Sequence, residues 1–247
     1  MDPDVREYFY AINAVAQAAL LLTVAVGLAL AVQRTALIGQ QRATTWIALM
    51  ATLVIWFGLA LRLAKSGFFL APTSILPPIA FAIGIPIVAG LYILLSTPRF
   101  KAVVEAVPQS WMTGVQVYRA LEAMFLALWL QGRMPGEFAL PAGTGDVIVG
   151  VTAPIVAWLN ATRSPAAPAA TLVWNVFGIA DLVVAVGTGF LTSPSPYQLL
   201  AFDRANELIA QHPFVLVPIF FVPLSIILHG LSLWKLYRAT KVRPAFA

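Results

Sequence analysis

Seven long apolar stretches separated by short polar segments dominate the chain: residues 8–33, 44–64, 75–96, 110–131, 145–161, 169–192 and 213–238. A membrane-crossing helix needs about 20 consecutive apolar residues, and each stretch approaches or exceeds that length. The pattern therefore predicts an all-α integral membrane protein, a seven-transmembrane-helix bundle forming one domain over residues 1–247. An odd number of crossings places the termini on opposite sides. The fifth stretch, 145–161, is the shortest. Two connections carry more pattern than a plain link. In 193–212, Ser195 as N-cap, Pro196 at N1 and Gln198 at N3 form a capping-box signature, which predicts a short amphipathic outer helix between the sixth and seventh spans. Residues 134–146 hold two prolines and three glycines around Phe138, Ala139 and Leu140; they read as an outer turn or a re-entrant loop at a site mouth.

Composition confirms the class. Hydrophobic residues make up 60% and charged residues 10% of the 247, against roughly 45–50% and 25% in soluble domains, so the lipid bilayer is the principal partner. The absence of cysteine removes disulfides, iron–sulfur clusters and thiolate chemistry. With only His212 and His229, a histidine-rich metal or haem centre is not expected, and no Walker, Rossmann or zinc signature names a cofactor. The net charge of +5 does not indicate nucleic acid, because the basic residues are scattered through short loops. With the N-terminus outside, the inner segments hold Arg34, Arg42, Arg99, Lys101, Arg163, Lys235, Arg238, Lys241 and Arg243, and the outer ones Arg6, Arg62, Lys65, Arg133 and Arg204. The positive-inside rule then gives N-out and C-in, in a bacterial-type inner (plasma) membrane. Trp46, Trp111, Trp158, Trp234 and Tyr237 fall near the inner interface, and Tyr8, Tyr10 and Trp129 near the outer one. Asp2, Asp4 and Glu7 precede the first span where a signal peptide would be basic, so that span is expected to remain.

Charge inside the spans supplies the candidate chemistry. Gln116, Arg119 and Glu122 recur at i,i+3 steps in the fourth span, about 60° apart on an α-helix. Asp181 lies near the middle of the sixth, with Asn175 nearby. A charge at mid-bilayer costs from about 2.5 to more than 10 kcal/mol, so such groups face the bundle interior and pair with each other. One cation and two acids leave one acid in excess, which is expected to hold a proton. The leading reading is a polar site between the fourth, fifth and sixth spans that binds or translocates a small solute or a proton. Arg119 would anchor an anionic group, Glu122 and Asp181 would carry the proton, and Gln116 and Asn175 would orient them. On this reading Arg119→Ala and Asp181→Asn abolish activity and spare folding. The same charges could simply hold helices together in a non-catalytic accessory or assembly subunit. Pro86, Pro154, Pro218 and Pro223 should kink their spans or free carbonyls. His229 reads as a helix contact, and Lys235 as a snorkelling side chain.

Gly143-Thr144-Gly145-Asp146, followed by an apolar helix, resembles the G-x-G-D motif of intramembrane aspartyl proteases of the presenilin, signal-peptide-peptidase and prepilin-peptidase group. That resemblance implies a membrane-embedded hydrolase with Asp146 and Asp181 as the acid pair. The adjacent fourth span offers Glu122 where the family has its second aspartate, and Val222-Pro223-Leu224 is the nearest approach to its P-A-L tripeptide. The residues themselves favour Asp146 as the N-cap of the fifth span. The seven-helix plan is similar to that of PQ-loop sugar transporters, with Pro108-Gln109 opening the fourth span; the dipeptide occurs once here, whereas that family has it in both repeats. A retinal protein is disfavoured, since the seventh span has no central lysine.

Overall fold

The computed structural model describes the backbone of residues 3–70 and 77–242, and side chains from residue 15 to 70 and 77 to 241. Arg6, Tyr8, Tyr10 and Arg243 of the sequence argument, and the first two residues of the predicted third span, lie outside the described side chains. Helices account for 80% of the structure, with no strand among the described residues. In chain order they are α1 (Pro3–Gln33), α2 (Gln40–Lys65), α3 (Pro78–Ser96), α4 (Pro98–Ala106), α5 (Gln109–Gly114), a 3₁₀ stretch (Val115–Glu122), α6 (Ala123–Leu130), α7 (Gly136–Ala161), α8 (Ala167–Thr192) and, after a π turn (Val217–Phe221), α9 (Val222–Val242).

Six continuous helices are long and apolar enough to cross a membrane: Val15–Gln33, Gln40–Lys65, Pro78–Ser96, Gly136–Ala161, Ala167–Thr192 and Val217–Lys241. The predicted fourth span is instead three pieces laid end to end, α5, the 3₁₀ stretch and α6, and all three pack along α7. Large apolar side chains point outward, among them Phe81, Ile85, Val88 and Tyr92 on one stripe of α3, while Gln116, Arg119, Asn175 and His229 are buried. This inversion of a soluble protein's surface and core is what a lipid environment favours. The last helix is the central one: 72% of its most apolar window is buried, against 6% for α3. It packs on α3, α5 and α8.

Three local expectations are corrected. Residues 134–146 are neither an outer turn nor a re-entrant loop, because α7 begins at Gly136 behind an extended Pro135, with Glu137 in the first turn where the helix dipole favours an acid. Proline and glycine, which break soluble helices, are tolerated here because neighbouring helices approach closely and satisfy the freed groups. Residues 193–212 form no amphipathic helix. Ser195 Oγ accepts from the Tyr197 N–H, Gln198 spends its amide on the Leu200 and Ala201 carbonyls, and the N–H groups of Leu199 and Leu200 both fold back onto Leu191 O. These local bonds compete with helix formation, and only Leu208–Ala210 winds into a 3₁₀ turn. Finally, the basic segment after α3 contains a helix, α4, opened by Pro98 and burying Val103 and Val104. Lys235 does more than snorkel: its Nζ donates to the carbonyls of Glu105 and Val107 at the C-terminal end of α4.

Candidate functional site

The acids that the sequence places inside the fifth and sixth spans, Asp146 and Asp181, both pair with Arg119 of the fourth. Around the eight 3₁₀ residues Val115–Glu122, three residues make a turn, so side chains at i and i+3 eclipse. The 60° offset expected for an α-helix is absent, and Gln116, Arg119 and Glu122 stand in one buried row. Runs of 3₁₀ beyond three or four residues are uncommon. The close packing of this stretch on α7 depends on Gly150, where an added Cβ would meet the Ala120 backbone, 2.8 Å from its Cα.

Arg119 is 1% exposed and bonded on every side. Its Nε donates to Asp146 Oδ1 at 2.6 Å and its Nη2 to Asp181 Oδ2 at 2.5 Å. Nη1 lies 3.4 Å from Gly178 O and 3.1 Å from His229 Nε2. Asp146 is therefore not an N-cap: it sits about 15 Å into α7 at 1.5 Å per residue, and it reaches Arg119 directly. The glycines make room for this geometry. A Cβ at Gly145 would overlap the Asp181 carboxylate, and one at Gly178 would lie 2.5 Å from the His229 ring. The two aspartates that a G-x-G-D-type site would pair are joined through a guanidinium.

Beyond Arg119 the bonds continue along α8 and α9. Asn175 Nδ2 donates to Thr171 O (2.7 Å) and Ser232 Oγ (2.8 Å), so its Oδ1 accepts from His229 Nδ1 at 2.8 Å. That fixes the imidazole as the neutral Nδ1–H tautomer, with Nε2 accepting from Arg119. Gln109 Nε2 closes the chain on Ser232 Oγ at 2.6 Å. Gln116 does not join this chain: it bonds Ser225 through both ends of its amide, and Tyr118 Oη meets the same serine. Glu122, 6% exposed, lies within the fields of Asp146 and Arg119, and its Oε2 has no hydrogen-bond partner. Sequence reasoning treated His229 as a helix contact and passed over Ser225 and Ser232. Their signal was the i, i+4, i+7 spacing of polar residues on one side of an otherwise apolar helix.

His229→Phe tests this accounting. It leaves Asn175 Oδ1 and one Arg119 N–H unsatisfied, and the expected loss is about 1–3 kcal/mol for each buried group left without a partner. The melting temperature in detergent should fall, and His229→Gln should recover part of the loss.

A cavity of about 320 Å³ reaches the cluster. Phe125, Phe138, Phe190 and Ile83 wall it, Ser193, Ser195, Glu207 and Gln211 lie along the 193–211 segment, and Asp146 is the member of the ion cluster that lines it. Arg119, expected to meet an anionic ligand group, does not line this cavity and has its donors committed to protein acceptors. His212, next to Gln211 and outside the spans, titrates below the usual histidine value because burial and then the nearby Lys65 disfavour its imidazolium.

Fold and site together define an all-helical membrane protein with an arginine–acid core. A family model described as a domain of unknown function, DUF8737, matches residues 76–237, and the chain belongs to that family. The matched segment contains the whole ion cluster and its hydrogen-bond chain, and α1 and α2 precede it. No curated protein and no solved structure matches the chain.

Proposed function

We propose that this protein binds or translocates a small solute or a proton at the Arg119–Asp146–Asp181 cluster, with seven crossings, the N-terminus outside and the C-terminus inside a plasma (inner) membrane. The observation that supports the reading is the position of Asp146, which touches the buried guanidinium on one side and lines the cavity on the other. The cluster holds one guanidinium and three buried acids, Asp146 and Asp181 ion-paired with it and Glu122 not. Unpaired buried charge is costly, so the cluster has carboxylate capacity to exchange protons or to pair with a ligand. An aspartyl-hydrolase reading is less favoured, since Arg119 takes the place between the two carboxylates that a shared proton and an attacking water would need. A role as helix glue alone accounts for the ion pairs and leaves the cavity that ends on Asp146 without a purpose.

The test is proton flux in proteoliposomes carrying an internal pH-sensitive dye, driven by an imposed potential. The wild-type chain should carry flux above protein-free vesicles, and Asp146→Asn and Asp181→Asn should return it to background. Wild-type vesicles with neither proton flux nor a ligand retained in native mass spectrometry would overturn the reading.

Orientation is tested separately. Because the chain has no cysteine, one introduced thiol reports its side of the membrane. Asp203→Cys should react with a membrane-impermeant maleimide on intact cells, and Ala166→Cys only after permeabilisation; the reverse pattern inverts the topology.

A further inference from the structure

The sign of charge where the cavity meets the cluster selects the ligand. Among the described residues that line the cavity, the charged ones are Asp146, 4% exposed, and Glu207, and none is basic. Asp146 accepts from Arg119 through Oδ1, leaving Oδ2 as the atom free to meet a ligand. Behind it, Arg119 is shared with Asp181, and Glu122 adds a third carboxylate with an unpartnered oxygen. A site with more buried acids than cations must either keep protons on the excess acids or take up positive charge. An anionic ligand would enlarge that excess, with only the neutral donors of Ser193, Ser195 and Gln211 to meet it; a neutral one would leave it unchanged; a monocation offsets it.

The walls add the second requirement. Phe125 and Phe138 meet edge to face with ring centroids 5.2 Å apart, and Phe69, Phe190, Ile79 and Ile83 complete an apolar lining. Such walls around the Asp146 end favour a carbon body over a strongly hydrated inorganic ion. Aromatic faces also attract an organic cation by about 0.5–2 kcal/mol. A volume of about 320 Å³ is at the small end of ligand cavities.

We propose that the cavity binds a small organic monocation with an apolar body, its ammonium group on the Asp146 carboxylate and its body between Phe125, Phe138 and Phe190. This rests on the solute-binding reading above and names the class of solute.

Three isosteres separate the possibilities: 2-phenylethylammonium, neutral 2-phenylethanol and anionic 3-phenylpropanoate, each titrated calorimetrically into the full chain in detergent. The ammonium compound alone should give saturable binding. Asp146→Asn should remove it. Because that change also touches the ion cluster, Gly189→Leu serves as an independent variant. Gly189 lines the cavity, and a Cβ there meets only Phe138, at an ordinary 3.6 Å, so the larger side chain fills the space and leaves the ions alone. It should weaken binding by about tenfold or more, a change of at least about 1.4 kcal/mol. Equal or stronger binding of the alcohol or the carboxylate overturns the proposal, as does ammonium binding that is indifferent to Gly189→Leu. No binding of any isostere, with proton flux that still depends on Asp146, overturns the solute class and leaves the proton-handling function standing.

Discussion

Arg119→Ala is expected to lower the stability of the detergent-solubilised protein by about 3–5 kcal/mol, the range measured when one partner of a buried ion pair is removed. The change takes the shared cation from Asp146 and Asp181, and a donor from both Gly178 O and His229 Nε2. The sequence-level expectation that this variant spares folding is thereby revised: the guanidinium ties the 3₁₀ stretch, α7, α8 and α9 together at one point. Arg119→Lys should fall between, since an ammonium keeps the charge but cannot present the separate Nε and Nη2 donors that reach two carboxylates at once. Arg119→Met combined with Glu122→Gln, Asp146→Asn and Asp181→Asn should recover much of the stability, because no uncompensated charge remains buried in the cluster, while proton flux stays at background. Unfolding in a denaturing-detergent titration reads the first quantity and the vesicle assay the second. Wild-type stability in Arg119→Ala would contradict the ion-pair geometry.

Gly150→Ala is the second large effect. A Cβ at this position overlaps main-chain atoms of Ala120, which cannot rotate away, so α7 and the 3₁₀ stretch must separate. Overpacking of this kind costs about 1–3 kcal/mol in soluble cores. Here the separation also draws Arg119, the residue before Ala120, from Asp146, so loss of flux should accompany the fall in melting temperature. Gly187→Ala, with open space around its Cβ, is the matched control and should leave both unchanged. If Gly150→Ala retained full flux and wild-type melting, close contact at this point would not be required.

Membrane class and helical content were legible because hydrophobic length is a strong signal and only helices satisfy their own backbone in lipid. The acidic and basic members of the site were legible for the same reason: a charge in an apolar run stands out, and Arg119 and Asp181 could be expected to face inward. Asp146 was misplaced because Pro141, Gly143 and Gly145 look like loop residues by the rules of soluble chains, whereas Gly145 serves to admit the Asp181 carboxylate. His229 was underrated as a lone histidine, its meaning becoming plain only when Asn175 and Arg119 stand at either end of its ring. The 3₁₀ winding left no mark in Val115–Glu122 that propensity could read; it coincides with the close approach of Ala120 to Gly150, a tertiary contact. The failed capping box at Ser195 has the opposite origin, since a correct local motif was outcompeted by bonds back to the end of α8.

The 3₁₀ stretch also gives the bundle a mechanical screw. Each of its eight residues advances about 2.0 Å and turns about 120°, against about 1.5 Å and 100° in an α-helix. Rewinding the stretch as α would shorten it by about 4 Å and rotate one end against the other by about 160°. Gln116, Arg119 and Glu122 could not then stay in one row, and Asp146 and Asp181 could not both keep the same guanidinium. The winding and the ion pairs therefore hold or release together, so that a change of charge at the cavity end would be transmitted to Trp111 and Trp129 as a combined pull and twist.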